Sequence, residues 1–532
     1  MSAVTDAAPD SPSGSPANGP DGAPAKSPRQ TLTLVAVLLA VFVVPTSISG
    51  TGVALPSVAT GLHASVGPVQ WVANAFNVAF ACFTLVWGSI ADIIGRVKAF
   101  ALGAAVFTLA SVGSIFAANI YVLDAARALA GLGGAAIFAC GSAILSTVFD
   151  GPARAKAFAL FGTVAGIGIS AGPSISGTLV ENAGWRWVFV LHAVALAVVL
   201  ALVPIIARQT REERKKGARI DVLGSLVFIV AMFLLTCGIV QGSQWGWGSV
   251  GVLVLFAGAI VALVVFTSVE KRREQPMLDL ALLRNRRFVA LCLVPVAGSF
   301  GFVTMLTYLP SYLTAAGGYS TGTAGLIMVL LTVPMLICPL LAARLVSRGV
   351  PAMRIIYVSI ACLIVGDLGL MLYSPEVSIA TVAFPMLVTG AGMALAAGLV
   401  DGQALEMVAP EQAGMAAGFL NTLRLGSEAV AVAVYASLLT TTVSSKVRDG
   451  ISAFPFHGNS GTLAGEVSVG DISGPVGRMA ASSRDAFGDF LVNTYDGAFH
   501  NVLWILAAIC LVLLVAIASM LRGSESDCSA AE

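Results

Sequence analysis

The chain has 532 residues, 57% of them hydrophobic and only 11% charged, with a mean hydropathy of +0.91. That balance excludes a water-soluble globular protein of this length. The net charge of +1 says nothing about partners, because in a membrane chain the placement of the positive residues carries the information.

A hydrocarbon core of about 30 Å takes roughly 20 apolar residues per helix, and the chain repeats such windows almost end to end. The first thirty residues, rich in Pro, Ser, Ala, Gly and Asp, lack a basic, cleavable leader pattern and are expected to be a disordered tail. About fourteen spans follow, at 31–54, 70–91, 99–117, 122–148, 156–180, 186–207, 222–241, 250–269, 288–313, 322–345, 354–373, 379–403, 415–440 and 499–521, and then a short tail at 522–532. An even count places both ends on one side.

Taking that side as the cytoplasm puts most Lys and Arg inside, while Lys446, Arg448, Arg478 and Arg484 fall on the long outer segment 441–498, which follows the charge rule weakly. The inner segments hold Lys26 and Arg29, Arg96 and Lys98, Arg154 and Lys156, six from Arg208 to Arg219, six from Lys271 to Arg287, and then Arg344, Arg348, Arg354 and Arg522. The short outer loops carry almost none, the pattern expected of cytoplasmic connections. Trp71, Trp185, Trp187, Trp245 and Trp247 fall at predicted outer ends, where an amphipathic ring prefers the interface.

Two basic breaks, RQTREERKKGARID at 208–221 and EKRREQPMLDLALLRNRR at 270–287, bracket one helical hairpin. Six spans precede it and six follow, which predicts an N-terminal bundle over 31–207, an inserted hairpin over 208–287 and a C-terminal bundle over 288–521. Within the last bundle the Ser/Gly-rich stretch 441–498 is expected to be an outer loop of low order. Seven cysteines lie in apolar spans and Cys528 in the tail; no spacing suggests a metal site or a disulfide framework. No G-x-x-x-x-G-K-[ST] loop occurs, which argues against direct ATP drive.

Four kinds of stretch carry chemistry. GSIADIIGRVK at 88–98 sets Asp92, Arg96 and Lys98 between two spans; its glycines permit a tight turn, and its carboxylate suits the positive end of another helix. RALAGLGGAAIFACGSAIL at 127–145 puts Arg127 inside an apolar helix. An arginine there either faces a wet cavity or partner, or snorkels outward with Asp124 as its i, i+3 neighbour. GIGISAGPSISG at 166–177 spaces small residues for close helix contact and bends at Pro173. The fourth is a scatter of short phrases: VALPSVA at 53–59, QWVANAF at 70–76, NAGWRWVF at 182–189, RIDVLGSLVF at 219–228 and NTLRLGSEAVAVAV at 421–434.

Together, over roughly residues 31–521, these stretches resemble the major facilitator superfamily and in particular its fourteen-helix drug:proton antiporter branch. Gly88, Asp92, Gly95 and Arg96 match the family's loop between helices 2 and 3, with Ile93 and Val97 at usual basic positions. Arg127, Gly131 and Gly133 match its helix 4 motif, with Ala130 in place of Gln. Gly168, Gly172, Pro173 and Gly177 match the helix 5 motif characteristic of exporters, with Ser176 replacing one glycine. A degraded echo of the first motif, AARLVSRGVPAMR at 342–354, has Ser347 where the first copy has Asp92.

The resemblance implies an all-α, polytopic membrane protein of the major facilitator fold. It implies a secondary active efflux transporter that exports an apolar drug, antibiotic or secondary metabolite in exchange for protons by alternating access. Such a protein is multi-pass in the bacterial plasma membrane, has both termini cytoplasmic and is not an enzyme. Its partners are the small apolar substrate, protons and the bilayer, with no nucleic acid, cofactor or metal. A nutrient or siderophore transporter of the same fold and a non-transporting membrane sensor are the alternatives. It also implies that Asp92 latches the cytoplasmic face against the helix beginning near Gly414.

One departure matters. Relatives of this kind often carry an acid on helix 1, where this chain reads TSISGTGVALP with Ser47 at the acidic position. Glu428 is the natural replacement as proton carrier, with Arg424 one helical turn away. The competing reading is a static Arg424–Glu428 ion pair. Asp367 is the second candidate, and Asp401 and Glu406 lie too near the cytoplasmic end to serve. Asn74 and Asn77 either line the substrate cavity or glue helices together.

Overall fold

The computed structural model describes residues 28–64, 66–209, 221–273, 276–319, 321–374, 378–409, 412–456, 458–468 and 470–529. The expected N-terminal tail up to residue 27 and most of the basic segment 208–221 lie outside them. Fourteen helices among the described residues are long and apolar enough to cross a membrane: α1 Arg29–Leu55, α2 Pro68–Ile94, α3 Arg96–Ile115, α4 Ile120–Val148, α5 Ala153–Ala183, α6 Arg186–Arg208, α7 Val222–Gly242, α8 Val250–Glu270, α9 Arg286–Ala315, α10 Thr323–Ser347, α11 Ala352–Leu370, α12 Ile379–Leu405, α13 Ala413–Ala453 and α14 Ala481–Leu521. No strand occurs among the described residues. An all-helical membrane fold follows from the chemistry: in hydrocarbon every backbone N–H and C=O must be satisfied within its own segment.

Helix pairings repeat along the chain. In the first half α1 packs on α5 and α6, α2 on α4, and α3 on α4 and α6; in the second α9 packs on α13 and α14, α10 on α12, and α11 on α12 and α14. Each second pairing is the first shifted by eight helices. The main contacts between the halves, α2 with α13 and α5 with α10, exchange under the same shift. Outside this scheme, α7 and α8 pack on each other, and α7 also touches α2 and α13. α8 turns Val250, Val254, Val261 and Val264 outward, as a lipid-facing helix does.

Several spans are interrupted at mid-depth. α9 contains a π-helical turn at Ser299–Val303. α12 breaks at Gly398, whose φ of +75° is left-handed and whose missing side chain lets it sit on the Phe158 carbonyl of α5. A Cβ at that position is excluded both by backbone and by contact.

The expectation of a disordered loop at 441–498 is corrected. α13 continues helically to Gly450, short helices cover Ser460–Ser468 and Ser473–Gly477, and the last helix begins at Arg484. Composition hid an apolar stripe. Leu439, Val443 and Val447 recur every four residues, as do Phe487, Leu491 and Tyr495, and all six are buried. Phe487 sits at the centre of an aromatic cap with Phe454 at 5.3 Å, Phe456 at 5.8 Å and Phe490 at 6.3 Å. Phe487→Ala is expected to remove about 3–5 kcal/mol from this cap, read as a lower unfolding temperature and as new proteolysis between residues 451 and 483.

Candidate transport site and inter-half contact

The first site is the seam where α2 meets α13. Asp92, 7% exposed, accepts hydrogen bonds from the backbone N–H of Gly414 at 3.0 Å and of Met415 at 2.9 Å. α13 begins at Ala413, so the carboxylate caps otherwise unsatisfied N–H groups at the positive end of that helix dipole. Gly88 lies against the Gly414 carbonyl, and the Cα of Gly418 is 3.2 Å from where a Gly88 side chain would begin. Arg96, also buried, approaches Asp92 at 3.8 Å and donates to the Ala143 carbonyl of α4 at 3.5 Å. Gly95 turns the chain with φ +101°. All four residues of the first motif therefore meet at one end of the molecule.

The third motif forms the α1–α5 seam. Gly168 sits where a Cβ would be 2.8 Å from the Phe42 carbonyl, and Thr46 and Ser49 each donate to its own carbonyl at 3.4 Å. Gly172 faces Ser49, Pro173 lies inside the helix, and Gly177 meets Val53.

Arg127 does not snorkel. It is 1% exposed and donates to the Val72 carbonyl at 3.0 Å, to Ser47 Oγ at 2.8 Å and to the Ser47 carbonyl at 3.3 Å. Its guanidinium also stands 4.5 Å above the centre of the Phe76 ring. Among the described residues it forms no ion pair, and Asp124, one turn earlier, has a buried oxygen with no hydrogen-bond partner. The position where relatives place an acid thus holds the hydroxyl that Arg127 uses.

The central cavities lie between the halves. One, of about 550 Å³, is walled by α1, α2, α7, α9 and α13 through Asn74, Asn77, Thr236, Tyr308 and Glu428, toward the end opposite Asp92. A smaller chamber, of about 110 Å³, is lined by Phe80, Phe138, Phe161, Met335 and Met393, with Asp401 and Arg424. Glu428 belongs to both walls. It forms no hydrogen bond or ion pair among the described residues.

Arg424 is otherwise engaged. Its Nη2 donates to both oxygens of Asp401, at 2.9 and 3.1 Å, and its Nη1 to Asn421 at 3.0 Å. Asp401, set aside from the sequence as too near the cytoplasmic end to carry the proton, is the partner: after the break at Gly398, the short Leu399–Leu405 segment brings it to α13. Sequence reasoning had no spacing signal for a pair 23 residues apart on different helices. It also missed Thr236 and Tyr308 as cavity residues. Asp367 is not in either cavity; it lies behind α9, fully buried.

The family model described as Major Facilitator Superfamily matches residues 37–432. The chain is 30% identical over 417 residues to a multidrug resistance protein, Stp, of Mycobacterium tuberculosis, covering 78% of this chain and 77% of that one. It is 29% identical to a puromycin resistance protein of Streptomyces alboniger, over 78% and 83% of the two chains, and 30% identical to a tetracenomycin C resistance and export protein of Streptomyces glaucescens, over 60% and 59%. In fold it is similar to the human organic anion transporter MFSD10, with a TM-score of 0.54 at 14% identity over 90% of this chain and 100% of that one.

Two substitutions test the polar contacts. Asp92→Asn removes a charge-to-helix-end interaction of about 1–2 kcal/mol and is expected to open the α2–α13 seam, read as faster labelling of a cysteine placed at Thr422. Asp401→Asn leaves Arg424, a half-buried cation, without its carboxylate partner, a change expected to cost less than the about 3–5 kcal/mol of a fully buried pair. The unfolding temperature should drop, and Arg424→Gln in the same chain should restore part of the loss.

Proposed function

The chain belongs to the major facilitator superfamily, and we propose that within this family of membrane transporters it is a proton-driven exporter of an apolar small molecule, an antibiotic or other secondary metabolite. The observation that carries the proposal is the position of Glu428. It is a carboxyl in the wall between a large and a small cavity, and no cation is bonded to it because Arg424 is held by Asp401. A carboxyl so placed can carry a proton when substrate is absent and release it when the surroundings change. Relatives whose names refer to multidrug resistance, puromycin resistance and tetracenomycin C export support the substrate class and the direction.

Alternating access then has a plain physical form in this reading. Residues 31–207 and 288–521 are the two rocking bundles, and 208–287 is the inserted hairpin. The Arg and Lys of the segments at the Asp92 end support a cytoplasmic position for that end and for both termini. Asp92 on α13 holds the cytoplasmic side shut, so the conformation is closed inward. Releasing that contact lets the halves part there while the opposite side closes. The cavity is mostly apolar, with amides at Asn74 and Asn77 and hydroxyls at Thr236 and Tyr308 to orient a substrate that carries a few polar groups.

Glu428→Gln separates coupling from binding. The amide keeps the shape but cannot cycle between charged and neutral forms, so substrate exchange between preloaded proteoliposomes should persist while the response to an imposed pH gradient disappears. Puromycin and ethidium serve as probes. A folded Glu428→Gln protein that still moves protons with substrate at the parental rate excludes Glu428 as the carrier.

A further inference from the structure

The second half contains a carboxyl that the reading above does not use. Asp367 of α11 is fully buried, and neither of its oxygens has a hydrogen-bond partner among the described residues. Among the described residues it forms no ion pair. The titratable side chain that acts on it from the surrounding helices is the Cys510 thiol of α14. Thr389, which packs from α12 against the neighbouring Gly366, likewise leaves its hydroxyl without a partner.

The backbone facing Asp367 is unusual in the same place. α9 passes it as the π-helical turn Ser299–Val303, and Gly301 in that turn has no side chain. A Cβ there would stand 3.3 Å from Asp367 Oδ2 and 3.0 Å from the Leu363 Cβ. The carboxyl therefore fills the space that a side chain on α9 would occupy. The first residue of the turn, Ser299, is joined at 2.8 Å through its hydroxyl to Ser427 of α13. Ser427 adjoins Glu428. One π-turn thus touches the cavity carboxyl's neighbour on one face and the buried carboxyl on the other.

An ionised carboxylate without a donor is not sustained in such surroundings, whereas a buried static acid serves no packing purpose that Leu or Met would not serve better. A π-turn inside a helix is a register that a small shift can convert to α-helix, and such turns concentrate at working sites. We propose that Asp367 is a second proton-binding site of this protein, occupied in the present conformation and emptied when α9 and α11 move apart. The step is simple binding: the carboxylate takes one proton to become the acid, and returns it when water or a donor reaches it. Its role in transport rests on the proton-driven reading, but its proton binding does not.

The test uses the full chain in lipid nanodiscs, with no substrate, and follows the protonated-carboxyl C=O band by infrared difference spectroscopy as pH is stepped. The parental protein should show one such band that Glu428→Gln removes and another that Asp367→Asn removes. If Asp367→Asn does not fold, Asp367→Glu takes its place and must shift the second band. In proteoliposomes with puromycin and ethidium as probes, Asp367→Leu should unfold at the same or a higher temperature than the parent, keep substrate exchange and lose gradient-driven transport. A band set unchanged by substitution at Asp367 overturns the inference, and a folded Asp367→Leu protein that transports under a pH gradient at the parental rate overturns its role in transport. A parental protein indifferent to the gradient overturns the proton-driven reading instead, and the infrared bands alone then decide Asp367.

Discussion

The arrangement of the halves turns on a carboxylate bonded to the start of a helix 322 residues away. Asp92 accepts from two consecutive backbone N–H groups of α13, and the contact can be that short only because Gly88, Gly414 and Gly418 bring backbone against backbone. A side chain at any of the three would hold α2 off α13 by more than a hydrogen bond can bridge. A charge-to-helix-end contact of this kind is worth about 1–2 kcal/mol, which corresponds to a roughly 5–30-fold ratio between two populations.

The buried charges divide by whether they are answered. Arg424 is answered by Asp401 with a bidentate pair; Arg127 is answered by carbonyls, a hydroxyl and an aromatic face instead of an acid. Both are positions at which the helix lattice is braced. Among the described residues neither Glu428 nor Asp367 has a hydrogen bond or ion pair, although the Arg424 charge lies close enough to Glu428 to act on it. An unanswered charge is expensive in such a medium. Ser47, where the resemblance leads one to expect an acid, instead offers Arg127 a hydroxyl and a carbonyl.

Much of this was legible in the chain itself, and the parts that were not share a cause. Span number and the residues of the Asp92 seam are written in contiguous apolar windows and in a short motif, signals that need no knowledge of neighbours. The helical stretch beyond residue 441 was obscured because Ser and Gly content dominates composition, while the every-fourth-residue stripe of Leu439, Val443 and Val447 that buries it is a periodic signal. The Asp401–Arg424 pair was obscured for a deeper reason. It depends on the direction in which a helix resumes after a left-handed glycine at 398, a tertiary fact with no linear signature.

The two helices between the halves gain a physical role from the same geometry. α7 lies against both α2 and α13 and contributes Thr236, Ile239 and Val240 to the larger cavity. Its partner α8 faces outward along most of its length. Without α7 the gap between α2 and α13 on the side away from Asp92 would open toward lipid, and the few polar groups of the cavity, Asn74, Asn77 and Glu428, would meet hydrocarbon, where unsatisfied amide and carboxyl groups are costly. The hairpin is thus a wall of the cavity. Because that wall touches one helix from each half, the hairpin bridges α2 and α13 even though it belongs to neither repeat.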